Sequence, residues 1–267
     1  MLLIMSPPPD LAPWVLAGVA LHGDSALHAS QFPALSDGML TMRLAGDVHQ
    51  ADGQLLPANA LILPHAQPRA YLHLGAVQVL GLILRPAALP CLLGGSLTGL
   101  AGCTLPLDTL PDAAHWRHTH QQLAEAPDDT ERLARLFSAL RPILHAPRHQ
   151  ANLHACQQLI QALASTPLAA TPPMLGLSLR QLQRRSQAML GLTPKQYQAT
   201  QRMQATLLAA LRTPGTGADL AAHHGFFDQS HMARELRRLA GAPLRELRAP
   251  QPPHAPHWPL QVGLHLG

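Results

Sequence analysis

Gly225-Phe226-Phe227-Asp228-Gln229-Ser230-His231-Met232-Ala233-Arg234-Glu235-Leu236-Arg237-Arg238-Leu239-Ala240-Gly241 is the stretch on which the fold turns. Gly225 supplies a tight turn, and Phe226 is placed to plug the space between two helices. Asp228 reads as an N-cap, an acid at the positive end of the helix dipole. Met232, Leu236 and Leu239 recur at helical spacing and face inward. Gln229, Ser230, Arg234, Arg237 and Arg238 are left outside. A short helix from Ala218 to His223, capped by Thr216, comes before the turn.

The same pattern recurs upstream. Ser178-Leu179-Arg180-Gln181 is a capping box, a hydroxyl followed three residues later by Gln. The helix it starts sets Leu179, Leu182, Met189 and Leu190 on one side. Arg180, Gln183, Arg184 and Gln187 share another side. Gly191 is a C-terminal stop. Thr193-Pro194-Lys195-Gln196 is a second capping box, with Pro at the first helical position. Its helix should run to about Arg212 with Ala199, Met203, Leu207, Ala210 and Leu211 inward, and Pro214-Gly215 should break it. Counted from Pro194 to Leu211, this spacer is roughly 27 Å long, against about 34 Å between successive major-groove faces.

Residues 176–248 resemble the DNA-binding domain of the AraC/XylS family of bacterial transcription regulators. The likeness runs from Gly176-Leu177-Ser178 through Leu182-Gln183-Arg184, Gly191-Leu192-Thr193-Pro194-Lys195-Gln196-Tyr197 and Gly225-Phe226 to Asp228-Gln229-Ser230-His231. It closes on Arg234-Glu235-Leu236-Arg237-Arg238 and Gly241-Ala242-Pro243. The resemblance implies two helix-turn-helix modules and double-stranded DNA as partner. Pro172-Pro173 departs from the family, falling where the first module has its first helix; a Pro pair blocks that helix or moves its start. Ser186, Met232, Leu236 and Leu247 stand where relatives carry aromatics.

In such a motif the second helix enters the major groove, where Arg forks onto guanine and Gln onto adenine. Arg180, Gln183 and Arg184 are the base-reading candidates of the first module, and Gln229, Ser230 and Arg234 those of the second. Arg202, Arg237 and Arg238 are assigned to phosphates, which position without specifying.

Charge distribution agrees. From residue 150 onward one Lys and ten Arg face two Asp and two Glu, a surplus of seven; residues 1–149 carry eight Arg and eleven acids. A basic half joined to an acidic half suits a nucleic-acid reader attached to a sensor. The chain is 47% hydrophobic but only 3% aromatic, so its core is built from aliphatics.

From Met39 the pattern is strand-like: Met39 to Leu44, Gln54 to Leu56, Ala60 to Leu63, Ala70 to Leu74 and Val77 to Leu84, separated by Gly, Pro and Asp. Residues 1–30 carry no assignable period. Arg85-Pro86-Ala87-Ala88 begins a short helix ending at Gly94-Gly95. The run Val79 to Pro86 resembles the cupin-like domain ahead of some AraC-type domains. The expected fold class is α+β: a β-sandwich or cupin-like sensor and dimerisation domain over 1–111, a helical connector over 112–150, an all-α double helix-turn-helix domain over 151–249, and an irregular tail over 250–267. Leu153 to Leu163 is taken as the first helix of the DNA-binding domain.

Cys91, Cys103 and Cys156 are widely spaced, with no CxxC, which suits a reducing cytosol. The apolar run Leu11 to Leu21 is interrupted by Pro13 and too short to span a bilayer, so neither a signal peptide nor a membrane anchor is read, and the expected location is the cytoplasm. Seventeen His raise a metal reading. His115, His118 and His120, the loose set His145, His149 and His154, and His65 with His73 are the candidates, and none carries an HExxH or a nearby Cys. No cofactor or metal is assigned. The alternative is a metal-dependent cupin-type enzyme or sensor with a helical appendage. A small-molecule effector in the β-domain and a homodimer are compatible partners; an apolar lining would suit an uncharged ligand.

Overall fold

Two long antiparallel strands organise the N-terminal half of the computed structural model, which describes residues 1–212, 216–249 and 255–260. These are β4 (Gly38–Gln50) and β6 (Arg69–Leu84), paired from Gly38↔Leu84 to Gln50↔Tyr71. Around them lie β1 (Leu2–Met5), β2 (Val15–Gly23), β3 (Ala29–Phe32), β5 (Asn59–Ile62) and β7 (Thr104–Pro106). The sheet order is β1-β2-β6-β4-β5-β7, with β3 also on β6, and every pairing is antiparallel.

Ala70 to Leu74 and Val77 to Leu84, read above as separate runs, belong to one strand. The ladder slips between Ala45 and Asp47, opposite Gly75-Ala76. Gly46 takes φ +73° there, and a Cβ on it would lie 2.3 Å from the carbonyl oxygen of Ala76. The irregularity bends the strand pair without ending it. Gln54 to Leu56 forms no strand; Leu55 makes a single bridge to His49. Conversely, β2 sits in the run that carried no period. Seven of its nine residues are buried, so it lacks the alternation that marks a half-exposed strand.

One face of the sheet packs on helices. Leu40, Met42, Leu80 and Leu82 are fully buried there with Leu133, Leu136 and Phe137. The helices are α1 (Ala88–Leu93), α2 (Ala113–Glu125) and α3 (Asp129–Leu144). Gly94 ends α1 in the left-handed conformation. Gly18 permits the approach of α3, since a Cβ there would stand 2.9 Å from Phe137.

The remaining helices are α4 (Gln150–Ser165), α5 (Thr171–Met174), α6 (Leu179–Leu190), α7 (Pro194–Arg212), α8 (Gly217–His223), α9 (Gln229–Ala240) and α10 (Leu244–Arg248). The core does not stop at the sheet. Cys156, Leu159, Leu163, Leu182, Leu190, Leu192 and Tyr197 belong to the same buried cluster as Leu40 and Leu82. Around α8 and α9 a second cluster forms, containing Met203, Leu207, Phe226, Met232, Leu236 and Leu239, and Ala34 from the N-terminal half joins it.

Residues 255–260 are not frayed. The amide of Gln31 donates to the carbonyl of Pro256 at 2.7 Å, on β3. Trp258 Nε1 donates to Ser30 Oγ at 2.6 Å, and its ring meets Phe32 edge-on at 5.6 Å. An aromatic and an edge-strand amide on the sheet fix this segment, neither of which local sequence reveals.

Candidate nucleic-acid interface and the cavity behind it

Both modules are built by their caps. Ser178 and Gln181 form the full reciprocal box on α6: Gln181 N–H donates to Ser178 Oγ at 3.2 Å, and Ser178 N–H to Gln181 Oε1 at 2.7 Å. Thr193 and Gln196 repeat the exchange on α7. Thr216 accepts from the amide of Asp219 on α8, and Asp228 from that of His231 at 2.6 Å on α9. Gly191 and Gly241 end the two recognition helices at φ +70° and +82°. The Pro172-Pro173 pair sits inside α5, a single turn, where missing N–H groups have no intrahelical partner to lose. Pro214-Gly215 lies outside the described residues.

On α6, Leu182 and Leu190 are buried while Arg180, Gln183 and Arg184 are exposed on the opposite side. Leu179 departs from the expected inward set: it is 53% exposed, because the cap leaves the first turn beyond the packed surface. Ser186 is fully buried where relatives carry an aromatic, and its Oγ donates to the carbonyl of Leu192 at 2.7 Å. On α9, Met232, Leu236 and Leu239 are buried, whereas Gln229, Ser230, Arg234, Arg237 and Arg238 are exposed. Between the modules, α7 is a 19-residue helix with Met203, Leu207 and Ala210 buried, while Ala199 and Leu211 are half-buried.

Arg202 is placed differently from its phosphate assignment. Its Nη2 donates to both carboxylate oxygens of Glu235, at 2.8 and 3.0 Å, and its guanidinium lies 5.0 Å from the centre of the Phe226 ring. It ties α7 to α9 because Glu235 is 9% exposed and needs a cation. His231 also approaches Glu235, at 3.3 Å. Helical periodicity placed Arg202 off the apolar stripe but could not show that a carboxylate from another helix meets it.

Phe227 went unnoticed in the sequence. It is 92% exposed, in the turn just before the Asp228 cap, beside the side chains that lead α9. Its signal was a second aromatic after the one that plugs the turn.

Behind the readers lies a cavity of about 690 Å³. The second sheet face supplies Val19, Met39 and Ile83; α4 supplies Ile160; α7 supplies Tyr197 and Leu208; and residues 258–260 close one side. Trp258 also borders a smaller cavity of about 80 Å³ inside the sheet, beside Tyr71 and His73. The charged groups at the larger cavity are Asp37 and Arg85. Burial pushes the Asp37 carboxyl up to about 6, with Arg85 opposing the shift more weakly. The lining is therefore not purely apolar.

Four of the candidate histidines, His65, His73, His115 and His120, make hydrogen bonds within the fold. His65 is buried, its Nδ1 2.6 Å from the carbonyl of Gln67, and burial lowers its pKa to about 4. His73 Nε2 meets Ser30 Oγ at 3.0 Å. His115 pairs with the carbonyl of Ala139 and His120 with Asn59. Among the described residues no three His, Cys, Asp or Glu side chains gather as metal ligands. No helix among them is long and apolar enough to cross a membrane.

A family model described as a helix-turn-helix domain matches residues 173–250. The chain is also similar to solved structures of ToxT from Vibrio cholerae. One covers 86% of this chain and 97% of that one at 9% identity, with a TM-score of 0.47. Another, of ToxT with an unsaturated fatty acid bound, covers 85% and 94% at 10% identity, with a TM-score of 0.45. No curated protein matches the chain.

Proposed function

We propose that this chain is a DNA-binding transcription regulator of the AraC/XylS type that reads two neighbouring major-groove segments with α6 and α9. What carries the reading is a pair of capped helices, each with its apolar side buried and its Arg and Gln side chains in solvent, held apart by α7. At 19 residues α7 spans roughly 28 Å, close to one turn of B-DNA. Arg180, Gln183 and Arg184 are the base readers of the first helix, and Gln229, Ser230 and Arg234 those of the second. Phe227 adds an apolar group suited to a thymine methyl. Arg237 and Arg238 remain the phosphate contacts, and Arg202 is reassigned to the fold.

The cavity is the effector site in this reading. Its volume falls in the range of small-molecule sites, and its wall is drawn from the sheet, α4 and α7 together. A ligand there touches both the β-rich half and the helix that spaces the readers. The chain works in the cytoplasm on this reading, where its DNA lies.

Selection of duplexes from a random library by the full chain, followed by binding curves over a salt series, tests the function. The expected result is an enriched bipartite site and an affinity that falls steeply with salt. Enrichment of no sequence, with weak salt-independent binding, refutes it.

A further inference from the structure

Resting on the reading of the cavity as an effector site, we infer that its occupant is an apolar amine, seated with its ammonium group against Asp37. The wall of the cavity is mostly aliphatic and aromatic: Leu16, Val19, Phe32, Met39, Ile83 and Leu208 all face it. Such a wall takes an apolar body, and the few polar groups among it set orientation.

Of the two charged groups that line the cavity among the described residues, Asp37 is the one without a hydrogen-bond partner. Arg85 donates its Nε to the carbonyl of Ala12 at 2.9 Å and stands exposed, at the solvent side. Asp37, half-buried at the cavity wall, makes no hydrogen bond or ion pair among the described residues, and desolvation pushes its carboxyl up to about 6. The neighbouring polar side chains do not serve it. Gln201 Nε2 donates to Ser36 Oγ at 2.7 Å, and Ser36 Oγ donates to Gln204 Oε1 at 3.4 Å, so that chain of donors stops one residue short. Tyr197 from α7 and the amides Gln157 and Gln161 from α4 complete the polar surroundings, and none is bonded to the carboxyl. A half-buried carboxylate at an apolar wall without donors is costly, and a cation that brings its own lowers the cost. An ammonium group does so; a carboxylate-ended ligand sets like charge against like.

The placement also says what the amine acts on. Asp37 lies three residues from Ala34, whose amide holds the carbonyl of Leu239 on α9 at 2.7 Å. The ammonium therefore bears on the loop that positions the second reader.

Three probes with one body and three ends test the inference: 4-phenylbutylamine, 4-phenylbutanol and 4-phenylbutyrate, titrated calorimetrically into the full chain at pH 7.5. The amine is expected to bind about tenfold or more tighter than the alcohol, with the butyrate weakest. Asp37→Asn should bring the amine down to the level of the alcohol and leave the alcohol unchanged. The amine's advantage should fade as pH falls through about 6, where Asp37 takes up a proton while Tyr197, whose pKa burial raises, keeps its own. An amine no tighter than the alcohol, a butyrate that binds best, or an Asp37→Asn variant with undiminished amine affinity overturns the inference. Alcohol binding without amine preference leaves the effector-site reading standing; binding of none of the three removes both.

Discussion

The backbone N–H of Ala34 donates to the carbonyl of Leu239, the last turn of α9, at 2.7 Å. A matching bond links Leu97 to Ala188 in the last turn of α6, at 2.9 Å. Terminal carbonyls of a helix have no intrahelical partner, so beyond the Gly191 and Gly241 stops the N-terminal half supplies each recognition helix with a donor for one of them. The two contacts differ in depth. The first module shares the core of the sheet, while the second has its own cluster, into which, among the described residues, Ala34 is the one inserted from the N-terminal half.

Ala34→Leu should therefore loosen α9 selectively. Ala34 is fully buried, and a larger side chain overpacks that contact at a cost of about 1–3 kcal/mol. Hydrogen exchange should show protection lost along α9 and kept along α6. Equal loss in both helices would mean that the modules respond as one body.

Removing Arg202 should destabilise the second module, because Glu235 then keeps only His231 beside a buried carboxylate. Arg202→Ala is expected to cost about 1–3 kcal/mol in urea unfolding, discounted because the Arg is partly exposed. The Arg202→Met, Glu235→Leu double variant should recover part of the loss. A loss confined to salt-dependent DNA affinity, with stability unchanged, would return Arg202 to the phosphate contacts.

Arg184→Ala and Arg234→Ala should each cost about 1–3 kcal/mol on the preferred duplex and relax base choice at one position. Arg237→Ala and Arg238→Ala should weaken every duplex alike and lower the salt slope by about one. Binding to matched and single-base-altered duplexes separates the two behaviours. A uniform loss for Arg184 and Arg234 would make them phosphate contacts.

Phe227→Ala should leave stability within about 0.5 kcal/mol, since its side chain touches solvent. DNA affinity should fall. Replacing thymine by uracil in the second half-site should weaken the parent protein and not the variant, as only the parent has a ring to meet the methyl group. An equal uracil effect in both would remove Phe227 from the reading surface.

Stability should respond to pH with two opposite signs. His65 is held near 4, below its ordinary value, so its contribution is present above pH 6.5 and is lost as pH falls toward 4. Asp37 is held near 6, above its ordinary value of 3.8, so it favours the fold below that value and the advantage is lost as pH rises through about 6. At pH 8 and without ligand, Asp37→Asn should raise stability by about 1–3 kcal/mol. A variant no more stable than its parent at pH 8 would show that the carboxyl already has a partner.

The sequence by itself determined the local units of the reading surface. Caps, stops and the plug at Phe226 are contacts between residues a few positions apart, and hydroxyl, Gln, Asp and Gly at fixed offsets encode them. It also marked which side of each recognition helix stays in solvent, since period alone settles that. Only the tertiary structure decided the rest. Strand β2 was hidden because burial on both faces erases alternation. Arg202 turned inward because Glu235 arrives from another helix, Trp258 docks because Ser30 and Phe32 wait on the far half of the chain, and Asp37 stands apart because the cavity lining around it converges from 12–39, 83–87, 157–161, 197–211 and 258–260. Charge pairing, cavity walls and unmet carboxyls are properties of distant residues brought together, and no local pattern of residues records them.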